Sequence, residues 1–324
     1  MIYVNTGSQD PAFNFAVEAY FMTEKPQVDT VFLFWHTQPT VMLGKFQNSY
    51  KELNLAAIQE DGVQVVRRQT GGGTIYTDLG GWQFSFITPG KRTGIDFRPF
   101  MEPIVAALET LGIQAEFNSR NDLTVAGQKF SGNAQASQGD FTLHHGSLLY
   151  DTDLARMVRY CRPPVYKLKA KGIDSIQSRT TNLIDYLPER WSSQTFADKM
   201  LSLLLKSETE TYSLTAEDKA RVNQIADQKF RSWDWTYGKN PAFSLQREAH
   251  TPGGQIEIAL EIKNGLIEGC QIQGDFFSAV DLGQFVQALK GLPYQREALA
   301  DFIFEQFPNL IHNVSSEKIL DIFI

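Results

Sequence analysis

The densest group of residues able to do chemistry is Arg67-Arg68-Gln69-Thr70-Gly71-Gly72-Gly73-Thr74-Ile75-Tyr76. Consecutive glycines let a backbone approach a ligand closely and turn N–H groups toward an anion, while the arginines ahead of them supply fixed positive charge. The same string also reads as a flexible turn flanked by solvated arginines, because glycine is the ordinary turn residue. A second group runs from Asn121-Asp122-Leu123 to Gly127-Gln128-Lys129-Phe130-Ser131-Gly132-Asn133. Lys129 lies in strand-like sequence with glycines close on both sides, which leaves room for a ligand at its ammonium; a solvated strand lysine is the plainer reading. Asp122 is either a metal-associated acid or a turn residue. His144-His145-Gly146-Ser147-Leu148-Leu149 forms a third group, a site or a strand end. The fourth surrounds Lys171-Gly172-Ile173-Asp174-Ser175-Ile176-Gln177-Ser178-Arg179. From Arg156 to Arg179 there are seven basic residues and one acid, Asp174, an excess that suits a polyphosphate or an acidic partner, or else a solvated loop.

Other chemistries are excluded. Gly44-Lys45 is no phosphate loop, since Pro39 stands where the first glycine belongs and Phe46 where Ser or Thr belongs. There is no GxGxxG, HExxH or GxSxG, and the five histidines and two cysteines have no zinc spacing. Thirty Lys+Arg against thirty-seven Asp+Glu gives a net charge of −7 over 324 residues, the opposite of a general nucleic-acid binder. Cys161 and Cys270 make neither a CxxC pair nor a disulfide framework, so a reducing cytoplasm fits best. The longest apolar run of the early chain, Val31-Phe32-Leu33-Phe34-Trp35, is far short of the ~18 residues of a membrane span, and Met1-Ile2-Tyr3-Val4-Asn5 does not begin a signal peptide. The expectation is an enzyme with no nucleic-acid or membrane partner.

The elements that must position these groups can be read from periodicity. Asp10 caps and Pro11 opens a helix near residues 10–24, with Phe13, Ala16, Val17, Tyr20 and Phe21 on one face. Strands are predicted at Thr30–His36, Thr40–Gly44, Val63–Arg68, Thr74–Asp78 and Trp82–Thr88, and a helix at Ser49–Glu60. Pro99–Leu111 is a helix stopped by Gly112. Ile113 to Tyr150 is strand-like, with turns at Ala126-Gly127 and Gln138-Gly139-Asp140. Helices follow at Asp153–Cys161, Ser193–Lys206 and Thr215–Phe230. The stretch Ser232–Pro241 reads as a boundary, separating a domain of residues 1–242 from a smaller one of residues 248–324. In the latter, Gln255–Ile262 and Leu266–Gln273 form a hairpin around Lys263-Asn264-Gly265, and helices lie near Asp281–Leu292, Tyr294–Gln306 and Ser316–Ile324. Grouped strands without βαβ alternation predict an α+β fold with a mixed or antiparallel sheet.

Taken together and in order, these groups resemble the lipoate–protein ligase A family. The resemblance rests on the arginine pair with its glycine loop, Asn121-Asp122-Leu123, Lys129 through Ala134, His144 through Leu149, and Lys171-Gly172-Ile173 through Ser178-Arg179-Thr180-Thr181-Asn182-Leu183. Asn14 through Glu18 and Trp233-Asp234-Trp235 extend it over most of the chain. Gln69-Thr70 departs from the common Ser-Ser, and Thr77 from a common His before Asp78. The resemblance implies a catalytic domain of the biotin/lipoate ligase type plus a small C-terminal domain. It implies ATP and lipoate reacting to lipoyl-AMP with Mg2+ present, followed by transfer to a lysine of an acceptor lipoyl domain. The acceptors it implies are E2 subunits of 2-oxoacid dehydrogenases or the glycine cleavage H protein. Carried over by motif, Lys129 bridges the lipoyl carbonyl and the α-phosphate. Arg68 contacts nucleotide phosphate or lipoate, and Gly71, Gly72, Gly73, Thr74, Ile75 and Tyr76 wrap the lipoyl chain and reach the adenine side. Asn121 and Asp122 serve the nucleotide, Asp122 also its metal; His145 and Gly146 line the lipoyl tunnel; Lys171, Gly172 and Ser178 close over the adenylate. The alternatives are an ATP-independent octanoyl- or lipoyltransferase using Cys161, whose pKa Arg159 and Arg162 would lower, and a non-catalytic lipoate-binding protein.

Overall fold

The computed structural model describes the whole chain except residues 91–94, 119–120, 162–178, 241–242, 275, 277, 279–280 and 309. The described chain packs into two compact units, Met1–Thr236 and Tyr237–Ile324.

The first unit is built on strands β1 (Ile2–Asn5), β2 (Val31–His36), β3 (Thr40–Leu43), β4 (Gln64–Arg67), β5 (Ile75–Thr77), β6 (Gly81–Pro89), β7 (Glu116–Phe117), β8 (Asp122–Val125), β9 (Gln128–Gln138), β10 (Phe141–Leu149) and β11 (Glu210–Ser213). Eight of them form one sheet in the order β11-β1-β2-β6-β10-β9-β8-β7, and β4-β3-β5 form a small second sheet. β1 runs parallel to both neighbours, whereas the pairs from β2 onward are antiparallel. The large sheet is therefore mixed, and the predicted α+β class holds.

Helices cover both faces of this sheet, which is why β2 reads as an unbroken apolar run. Phe32 and Phe34 point into a core shared with the helices Arg98–Thr110 and Ser193–Leu204. Val31, Leu33 and Trp35 point the other way, against the helix Pro11–Thr23. β6 keeps the same period of two: Trp82, Phe84 and Phe86 enter the first core, leaving Gln83 and Ser85 on the opposite face. The helix Pro11–Thr23 starts as predicted, with the Asp10 carboxylate accepting from Ala12 N at 2.9 Å. Its burial is wider than one face: Asn14 and Glu18 are also fully buried, because the polar positions of β6 lie beneath it.

Of two local expectations in this unit, one changes and one holds. The predicted helix Ser49–Glu60 is two short helices, Ser49–Glu52 and Leu55–Glu60. Leu53 bridges to Cys161 and Asn54 N donates to Tyr160 O at 2.9 Å, so the break serves a distant partner. The turn at Ala126-Gly127 forms as predicted, with both residues at positive φ (49° and 76°), the geometry of a tight hairpin.

The second unit holds β12 (Phe243–Thr251), β13 (Gly254–Lys263) and β14 (Leu266–Gly274) in one antiparallel sheet, with helices Leu282–Leu289, Arg296–Asp301 and Ser316–Phe323. The hairpin at Asn264-Gly265 is as expected, both residues again at positive φ. β12 was not expected, and it pairs with β13 along its whole length, so this unit starts ahead of residue 248.

Candidate active site

A cavity of about 410 Å³ opens in the first unit between β9, β10 and the loop that joins β4 to β5. Its walls differ in character. Phe15, Trp35, Met42, Ile75 and Ala134 supply apolar lining, and Arg68, Asn121, Asp122 and Lys129 polar and charged lining. Lys129 and Ala134 are five residues apart on one strand, roughly 17 Å of extended chain. The cavity thus joins a slot for an apolar chain to a cationic end.

At the cationic end, the Lys129 ammonium lies 2.7 Å from Asp122 Oδ1 across the β8–β9 hairpin. The side chain folds over Gly132: a Cβ there would sit 3.2 Å from Lys129 Nζ, so glycine keeps that path open. The lysine's backbone is held as well. Lys129 N donates to Arg179 O at 2.7 Å and Thr181 N to Lys129 O at 2.9 Å, so residues 179–181 are paired directly onto this one. Asn121 braces the same hairpin, its side-chain amide donating to Asn133 O at 2.6 Å. Asp122 and Lys129 are both partly exposed, so their ion pair adds little to stability; what it fixes is the position of the ammonium. If Lys129 serves the reaction, Asp122→Asn is expected to slow it about tenfold without moving the melting temperature. Unaltered single-turnover rates would make the pair incidental.

The two arginines before the glycine loop have separate tasks. Arg67 is fully buried and donates to Gly44 O (3.0 Å), Gln47 O (2.6 Å) and Thr236 O (2.6 Å), with Nε shared between Trp235 O and Thr236 O. It is a clamp for backbone, not an anion donor. Arg68 Nη2 donates to Gly71 O at 2.8 Å and Gly73 O at 2.7 Å, and Nη1 to Met42 O at 3.2 Å. Burial, with the charge of Arg67 adding to it, lowers the Arg68 pKa to about 10. Arg68 reaches the cavity wall, but here its guanidinium shapes the loop. The loop lies so close to Gly44 that a Cβ there would be 2.0 Å from Gly72 O.

Along the apolar part runs a buried polar chain. Trp35 Nε1 donates to Ser85 Oγ (3.3 Å), Ser85 Oγ to Glu18 Oε1 (2.6 Å), and His145 Nδ1 to the same Glu18 oxygen (3.2 Å), while Thr70 Oγ1 lies 2.6 Å from His145 Nε2. Glu18 is fully buried and its Oε2 has no hydrogen-bond partner among the described residues. Thr70 stands at one of the positions where the sequence departs from the family's common pattern, and it holds the ring that lines the cavity.

Of the residues singled out by sequence, Arg68, Gly72, Gly73, Thr74, Ile75, Asn121, Asp122, Lys129, His145 and Gly146 line this cavity. Tyr76 does not. β5 alternates, so Ile75 faces the cavity and Tyr76 packs with Leu43, Leu53 and Tyr160 on the other side. Gly71 also lies outside the lining and serves as acceptor for Arg68. Lys171, Gly172 and Ser178 fall outside the described residues. Phe15, Trp35, Met42, Gln83 and Thr70 were given no site role by the sequence: Phe15 and Thr70 stood inside quoted motifs without one, and the near-continuous apolar run of β2 did not say which face meets a ligand. Among the described residues no group activates Cys161, and Arg162 lies outside them. Burial pushes its thiol up to about 12, and the neighbouring Arg159 guanidinium is bound to Asp61 (2.8 Å) and Glu60 (2.7 Å) rather than to sulfur. The described residues contain no group of three His, Cys, Asp or Glu side chains fit to cage a metal, and no helix among them is long and apolar enough to cross a membrane.

Family models match both parts of the chain: the lipoyl protein ligase A/B catalytic domain over residues 10–204 and the bacterial lipoate protein ligase C-terminus over residues 240–323. The lipoate-protein ligase LplJ of Bacillus subtilis is 35% identical, the match covering 99% of each chain. Among solved structures, P. falciparum LipL1 in complex with lipoate superposes with a TM-score of 0.63 at 24% identity, covering 99% of this chain and 97% of the other. A lipoate-protein ligase A bound with ATP gives 0.61 at 22% identity, covering 74% and 97%. The chain belongs to the lipoate–protein ligase family.

Proposed function

We propose that the protein is an ATP-dependent lipoate–protein ligase acting through the cavity of the first unit. The observation that carries this reading is the union in one cavity of an apolar slot with a lysine and a glycine loop. Lipoate is an apolar chain ending in a carboxylate, and the slot accepts the chain while Lys129 meets the carboxylate. In the first step a carboxylate oxygen attacks the α-phosphorus of ATP and pyrophosphate leaves. Two anions must approach each other, and charge builds on the phosphoryl oxygens, so a cation and backbone N–H donors fixed in advance lower the barrier. On this reading Lys129 and the loop at Gly72-Gly73, which line the cavity, take that task. In the second step the amine of an acceptor lysine attacks the acyl carbon of lipoyl-AMP, AMP leaves, and the amine loses a proton.

Magnesium enters with the triphosphate as part of the nucleotide substrate. Asp122 is the one carboxylate among the described lining residues and already faces Lys129, so its first task is to position the ammonium. Lipoyl domains, whether of E2 subunits or of the H protein, are the acceptors, and the cytoplasm is where this reading puts the reaction. Both half-reactions belong to the first unit, since every described candidate residue lies before Thr236, and the second unit is an accessory domain.

The test is the mass of a purified lipoyl domain incubated with lipoate and this protein. An added lipoyl group with ATP, and none without it, is the expected result. Cys161→Ser is expected to leave that gain unchanged, because no covalent acyl-enzyme is required. Transfer from an acyl thioester without ATP, lost in the serine variant, would replace the ligase with the transferase reading.

A further inference from the structure

A second cavity, of about 170 Å³, lies in the same unit among Lys45, Gln69, Ser137, Lys229 and Trp235, none of which lines the ligand cavity. Lys45 and Lys229 border it, the exposed Lys45 carrying its ammonium over the Phe46 ring at 5.4 Å. Lys229 is half-buried over the ring of Trp235 at 4.5 Å and donates to Gln69 Oε1 at 2.9 Å. Burial and then the nearby charge of Lys45 lower the Lys229 pKa. Among the described residues no carboxylate forms an ion pair with either lysine.

The third donor is Gln69, which is 6% exposed. Lys229 occupies its carbonyl, and its amide N–H2 has for partner the thioether of Met22 at 3.9 Å, a weak acceptor. A buried amide donor without an oxygen acceptor costs free energy unless a ligand supplies one. Ser137 adds a hydroxyl at the exposed side. Two lysines and an amide donor around one small space, with no carboxylate in its lining, match a compact anion with several oxygens.

We propose that this cavity binds a free phosphate-class oxyanion, held by Lys45, Lys229 and the Gln69 amide. The occupant would join three segments that set the glycine loop. Lys45 N donates to Thr70 O at 2.8 Å; Gln69 opens the loop; Lys229 precedes Trp235 and Thr236, which accept from Arg67. The anion is either inorganic phosphate from solution or the pyrophosphate released in adenylation. The site does not depend on the ligase reading, but the second source does.

Calorimetric titration of the full-length protein with phosphate and with pyrophosphate, at constant ionic strength in chloride, tests the proposal. One saturable site is expected, weakened about tenfold or more in Lys229→Met and in Lys45→Met, since each removes a charge-assisted donor. Lys45→Arg and Lys129→Ala are expected to keep it. Tighter pyrophosphate binding would name the reaction product as occupant, and equal or tighter phosphate binding the solution anion. Absence of a saturable site, binding unaffected by both methionine variants, or binding lost in Lys129→Ala would each overturn the proposal. Lys45 is exposed, so Lys45→Met decides the matter even should Lys229→Met fail to fold.

Discussion

Lys129→Ala is expected to lower the rate of lipoyl-AMP formation by about 10²–10³, or ~3–4 kcal/mol of transition-state stabilisation, the usual cost of one preorganised donor aimed at developing charge. The fold should be indifferent to the change. The Lys129 side chain is partly exposed and pairs with Asp122 at the cavity edge, while its backbone bonds to Arg179 and Thr181 do not involve the side chain. Melting temperature and far-ultraviolet circular dichroism should therefore match the wild type. Lys129→Arg is expected to recover little, because a planar fork does not reproduce a compact ammonium lying over Gly132. Chromatographic measurement of lipoyl-AMP from lipoate and ATP decides the point: an alanine variant within a few-fold of wild type would remove Lys129 from the chemistry.

Arg67→Met is expected to destabilise the first unit by about 3–5 kcal/mol, the range for removing one partner from a buried charged arrangement. Methionine is of similar length and fills space, so the loss is that of hydrogen bonds. Carbonyls of Gly44, Gln47 and Thr236 would be left buried without their donor. For a unit of this size the change should appear as a fall of roughly 10 °C or more in melting temperature. Arg67→Lys should help only in part, since one ammonium cannot span acceptors on both sides. A melting temperature unchanged in Arg67→Met would mean that the clamp is dispensable. The neighbouring Arg68→Met, by contrast, should act on ligand affinity through the loop carbonyls of Gly71 and Gly73.

What the sequence made legible was local. Asp10-Pro11 marked a helix start, Ala126-Gly127 and Asn264-Gly265 marked hairpins, and the glycine loop fell between two strands as its composition suggested. The order of motifs likewise pointed to the residues that meet in the cavity. What was not legible depended on partners far along the chain. Glu18 and His145 are 127 positions apart, and nothing local marks the glutamate of an apolar helix as part of a polar chain. Tyr76 and Ile75 are adjacent, and only the placement of β3 beside β5 decides which of them faces the ligand. Arg67 and Arg68 likewise look like one basic pair until strand alternation sends them to different surroundings. Residues 49–60 have a helical pattern, yet the backbone at Tyr160 claims Asn54. β12 was hidden because Arg247 occupies one of its inward positions, between Leu245 and Ala249.

The clamp at Arg67 also bears on the order in which the chain is made. Its acceptors at Trp235 and Thr236 lie 168 and 169 residues downstream, and the first strand of the protein waits for β11 at Glu210–Ser213 to complete its pairing. A growing chain that has already emitted the glycine loop, Lys129 and His145 still holds a solvated arginine and a half-paired opening strand. Ligand-competent geometry should therefore arrive late in synthesis, when the segment through Thr236 clears the ribosome, and not in stages as each motif emerges. The same logic sets where the chain can be cut. Similarity to the catalytic family model ends at residue 204, short of both late partners, so a fragment trimmed to that boundary would carry every described candidate residue and lack what holds the loop in place.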